Sequence, residues 1–106
     1  MPKYLVQVNY VGEGIKGLLK EGGTSRRETV EKLVKSLGGN MEAFYYAFGE
    51  TDLYAVVEFP DNASMASFAL VASASKAVTV KTTVLMTPEE VDEAAKKTPS
   101  YRPPGQ

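Results

Sequence analysis

The sequence predicts a single α+β domain with its elements in the order βαββαβ, and three observations carry that reading. Apolar residues alternate with period two near the start and again near residue 80. Apolar stripes at helical spacing lie between and after them, and two aromatic runs straddle a short turn containing Gly and Asp. A chain of 106 residues is the size of one domain. At 43% hydrophobic and 24% charged, its composition is globular rather than disordered.

The first strand is the run from Tyr4 to Val11, in which Tyr4, Val6, Val8 and Tyr10 face one way and Leu5, Gln7 and Asn9 the other. Gly12 and Gly14 end it. Ile15 to Leu19 then reads as an irregular turn or short helix before Gly22-Gly23. Ser25-Arg26-Arg27-Glu28 has capping-box spacing, and Val30, Leu33, Val34 and Leu37 form one apolar stripe, so a helix starts at Ser25 and stops at Gly38-Gly39.

Met41 to Phe48 and Leu53 to Pro60 read as the two strands of a hairpin turning through Gly49-Glu50-Thr51-Asp52. Asp61-Asn62 caps a second helix through Met65, Phe68, Ala69 and Ala72. Ala77 to Met86 is the last strand. Thr87-Pro88-Glu89-Glu90 then supplies an N-cap, a proline at N1 and a capping-box glutamate for a short C-terminal helix to about Lys97. The folded domain therefore covers residues 1–98, and residues 99–106 form a Pro-rich mobile tail. Met41, Met65 and Met86 are expected to fill gaps in the core.

This order is the ferredoxin-like split βαβ arrangement, with a four-stranded antiparallel sheet and both crossover helices on one face. The opposite face would carry Leu5, Tyr54, Val56 and part of the Phe44-Tyr45-Tyr46 run, a patch too apolar for water. A second copy of the chain is the expected cover.

Tyr4, Val8-Asn9-Tyr10, Gly14-Ile15, Leu37-Gly38-Gly39, Ala43-Phe44-Tyr45-Tyr46, Gly49-Glu50-Thr51-Asp52, Glu58 and Pro60-Asp61 together resemble the GYD-domain family of small single-domain proteins. The resemblance runs from about Tyr4 to Glu90. It implies a dimeric α/β barrel of ferredoxin-like fold and no particular reaction. The family's hairpin signature has a tyrosine before its aspartate, where this chain has Thr51. Gly49 and Asp52 match, and each also has a plain hairpin role, glycine through positive φ and aspartate through bonds to nearby amides.

Absent residue types narrow the chemistry. With no Cys and no His there is no thiolate nucleophile, no His-dependent triad and no conventional zinc site. A net charge of −1 offers nothing to a phosphate backbone or an anionic membrane surface, and no apolar run approaches the roughly 20 residues that span a bilayer. Glu89, Glu90, Asp92 and Glu93 crowd a helix start, where negative charge complements the dipole, so neither metal nor cofactor is expected. A cytoplasmic location is the matching expectation, with no nucleic-acid or membrane partner.

Two functions stay open. One is an oligomeric module that binds a small molecule or serves structure alone, with Asn9, Tyr46, Tyr54, Glu58 and Lys81 lining a cleft between the sheet and a partner copy. Glu58 and Lys81 are equally readable as edge charges or an intersubunit ion pair. The other is a cofactor-free, monooxygenase-like enzyme acting on a small aromatic or quinol-like substrate in a pocket between helices and sheet, with Asn9 and the tyrosines holding an oxyanion and stacking on the ring. Separately, the Gly22 to Arg27 stretch is either an anion cradle or an ordinary helix start with solvated arginines.

Overall fold

The computed structural model describes residues 1–106. Its elements are β1 (Lys3–Tyr10), α1 (Gly14–Glu21), α2 (Gly23–Ser36), β2 (Asn40–Tyr46), β3 (Leu53–Glu58), α3 (Asn62–Ala74), β4 (Val78–Leu85) and α4 (Pro88–Lys96). The four strands form one antiparallel sheet in the order β2-β3-β1-β4, which is the ferredoxin-like topology. Tyr4 lies opposite Val57, Val6 opposite Ala55 and Val8 opposite Leu53, so the period-two alternation of β1 continues across β3.

That alternation builds the core. Tyr4, Val6, Leu53, Ala55, Val57 and Phe59 from the sheet side meet Val34 of α2 and Met65 and Phe68 of α3, all buried. Tyr4, Phe59 and Phe68 stack in sequence with centroid spacings of 6.3 and 5.9 Å. The Tyr4 hydroxyl, taken out of water, donates to Asn62 Oδ1 at 2.6 Å and so keeps a partner. In β2 a register shift between Met41 and Ala43 lets both Met41 and Phe44 face the helices, opposite Val57 and Ala55.

Helix ends follow their residues in most places. Gly38, at φ +79°, takes the left-handed conformation after α2, and the Gly38 and Gly39 N–H groups bond back to Lys35 and Val34. Asp61 caps α3 by accepting from Ser64 N at 2.8 Å. Thr87 and Glu90 form the reciprocal capping box of α4.

Of the two readings of the segment after β1 the short helix holds, as the eight-residue α1. Two expectations need correction. The Ser25 capping box does not form: only Gly22 separates α1 from α2, so α2 begins at Gly23 without a side-chain cap, and Ser25 falls inside it. Met86 is half exposed rather than in the core.

The molecule is long for its size. Its radius of gyration is 17.0 Å, against about 13 Å for a compact chain of this length, and its longest dimension is 57 Å. The excess lies at the C-terminal end, where α4 buries no residue and the chain beyond it is exposed throughout. No helix is long and apolar enough to cross a membrane.

Candidate functional site

The two faces of the sheet divide the residues singled out by sequence. On the face away from the helices, antiparallel register aligns Lys81, Gln7, Tyr54 and Tyr45 in one row across β4, β1, β3 and β2. The next row is Thr83, Leu5, Val56 and Ala43. Lys81 and Tyr54 thus share a row, with Asn9 beyond it at the end of β1.

Glu58 stands apart from them, opposite Lys3. Lys3 reaches across β3 to Glu42 at 2.8 Å, and this bond, with Glu58 nearby, raises the lysine pKa. Glu58 therefore belongs to a charged corner with Lys3 and Glu42, not to a cleft with Lys81. Asn9 is engaged in the fold: its Oδ1 accepts from Asp52 N at 3.0 Å, while Asp52 Oδ2 accepts from Tyr10 N at 2.9 Å. Asp52 thereby pins the β2–β3 connection to β1, a long-range clamp rather than a bond to amides within the turn. Gly49 adopts no positive φ, contrary to expectation, and a methyl there would meet nothing.

Tyr46 does not lie on this face. It pairs with buried Leu53, which turns it toward the helices, and its hydroxyl donates to Gly23 O at 2.9 Å. The side-chain period of two reverses the face at each residue, so Tyr45, not Tyr46, joins Tyr54 on the open side. Tyr46 also packs edge-on against Phe44, with ring centroids 5.4 Å apart.

Between the sheet and the helices lies a cavity of about 630 Å³. Its origin is in side-chain size. At one end of the sheet Tyr4, Phe59, Met65 and Phe68 fill the layer, whereas at the other end the floor is Val6, Val8, Ala55 and Val80. Helix α2 leans on β2 and α3 on β4, at opposite edges of the sheet, so neither roofs the centre fully. Val30 and Leu33 of α2, Val71 and Ala72 of α3 and Leu18 of α1 complete apolar walls. Helix α1 is held there because Gly14 sits on β4's approach, where a Cβ would come within 2.0 Å of Ala77 O.

The rim is polar. Tyr10, Arg26 and Thr29 border the cavity, as do Glu13, Glu21 and Lys76. Arg26 Nη1 meets Glu21 at 3.4 Å, and Glu13 is taken by Lys16 at 3.2 Å. Burial raises the Tyr10 hydroxyl pKa, with the Arg26 guanidinium pulling the other way. Burial, reinforced by the adjacent Tyr10, pushes Tyr46 up to about 12. Both hydroxyls are thus phenols at ordinary pH, able to donate hydrogen bonds and poor as bases.

Tyr10 is not among the expected site residues, and Arg26 enters only through the Gly22 to Arg27 stretch, read as either an anion cradle or a helix start. Tyr10 was legible as the last helix-facing position of β1, and Arg26 as part of the glycine-and-arginine stretch before α2. What hid the pairing was the position of α1, which brings that stretch over the end of the sheet. Sequence comparison adds a family and no chemistry: the GYD domain model matches residues 4–95. No curated protein matches the chain.

Proposed function

The chain belongs to the GYD-domain family, whose model matches most of it, and we propose that it serves as a self-associating module binding a small apolar molecule between its helices and its sheet. The cavity carries this reading. The space opens to solvent on one side, and leaving its mainly apolar lining wet forgoes about 25 cal/mol for each Å² that an apolar guest would cover. Water at the deeper walls finds few of the polar partners it needs. A guest of apolar character suits the space, whose volume falls within the range of small-molecule sites, roughly 300–1,000 Å³.

Self-association has separate support. The open face carries Leu5, Tyr54, Val56 and Tyr45 in adjoining rows, and Phe48 at the hairpin connection is wholly exposed. Aromatic anchors of this kind are typical of interface centres. Catalysis on an aromatic or quinol-like substrate has less behind it: Asn9 faces away from the cavity and is already bonded, and the two tyrosines near the rim hold their protons.

The test is a thermal-unfolding screen against apolar small molecules, run beside light scattering. The expected result is a dimer or larger species whose melting temperature rises with at least one such molecule. A chain indifferent to all of them would sink the binding reading, and a stable monomer would sink self-association.

A further inference from the structure

We propose that the cavity takes an apolar monoanion, its body against the aliphatic walls and its carboxylate at the rim against Arg26 and the Tyr10 hydroxyl. This rests on the binding reading above and adds the ligand's head group. Arg26 borders the cavity from the first turns of α2, and its side chain is about one-third exposed, so it is neither free in water nor sealed away. Its guanidinium offers five donors, and its protein partners are Glu21, in a single long contact of 3.4 Å, and the adjacent Tyr10 hydroxyl, which leaves donors over. A planar carboxylate can take the unfilled fork in two parallel bonds.

The neighbours agree with an anion. Tyr10 stands beside Arg26 on the cavity edge, and because burial keeps its hydroxyl protonated it adds a donor. Of the two rim carboxylates, Glu13 is largely solvated and bonded to Lys16, and Glu21 is the group a ligand would displace from Arg26. Lys76 is the second cation on the lining. The deep walls contain no charge, which excludes a polyanion such as a nucleotide and leaves room for one charged end only.

Three probes with one body separate these ideas: octanoate, octanol and octylamine, titrated calorimetrically into the full chain. Octanoate is expected to bind wild type roughly tenfold more tightly than octanol, the scale of one charge-assisted hydrogen bond, and octylamine most weakly. Arg26→Gln, which keeps a good helix former on α2, is expected to remove the octanoate advantage and leave octanol binding unchanged. Glu21→Gln, by releasing the guanidinium, is expected to tighten octanoate a few-fold. Equal binding of octanoate and octanol to wild type would overturn the head-group assignment while leaving the cavity reading intact. So would an octanoate preference that survives Arg26→Gln, or a preference for octylamine. Failure of all three to bind would overturn both readings together.

Discussion

Asp52 does more than close a turn. Its carboxylate accepts from Tyr10 N, and its own N–H lies between Val8 O and Asn9 Oδ1, so one residue fixes the end of β1 that carries Tyr10 to the cavity. Asp52→Ala should cost about 2 kcal/mol in urea unfolding, since a charge-assisted bond to a half-buried amide is lost. An unchanged midpoint would show that the clamp is dispensable. Tyr46 offers a second test at this scale. Its hydroxyl holds its proton to about pH 12 in the folded chain against about 10 when unfolded. Below pH 10 both states are protonated and the preference is fully present; as pH rises from 10 through 12 the unfolded state loses its proton first, so stability falls. Tyr46→Phe should therefore be less stable than wild type near neutral pH, through loss of the Gly23 bond, and should lose less stability over that alkaline window. Parallel pH profiles would contradict this assignment. Residues like Asn9 and Asp52 show what a sequence withholds: their types fit either a pocket or a clamp, and only the meeting of β1 with the hairpin decides between them.

Among the elements, strands and caps were legible because their signals are local. Alternation in β1, the glycine pair after α2 and the capping box at Thr87 each act within a few residues, and each appears as read. The start of α2 was not, because tertiary packing outweighed a cap: Gly14 seats α1 against Ala77, and the chain turns directly through Gly22 at φ +88° into α2. Gly14→Ala should destabilise by about 3 kcal/mol or more, as its methyl would strike backbone that cannot rotate away. Circular-dichroism melting measures it, and a neutral outcome would mean that α1 can slide. The face of Tyr46 was likewise beyond reach. Three consecutive aromatics follow a bulge, and a one-residue shift exchanges the two faces.

At the scale of the whole molecule, two surfaces that look alike in sequence have different fates. The open sheet face sets Leu5, Val56, Tyr54 and Tyr45 among Gln7, Lys81 and Thr83, and the proposed second copy would cover it; Val56→Lys should convert the associated form to monomer by light scattering with the fold retained. Persistence of the larger species would place the interface elsewhere, for example on Phe48 or the unpacked α4. The helix face holds the cavity, and its small residues are the reason. An enlarged side chain at a filled core position such as Ala55 costs about 1–3 kcal/mol, but Val80 is only partly buried on the cavity floor, so Val80→Phe would grow into the open space and should be close to neutral. The most direct measurement is thermal unfolding of wild type and Val80→Phe with and without neutral octanol. Octanol is expected to raise the wild-type melting temperature and to leave a well-folded Val80→Phe unmoved. Equal shifts in both proteins, or none in wild type, would contradict the cavity reading.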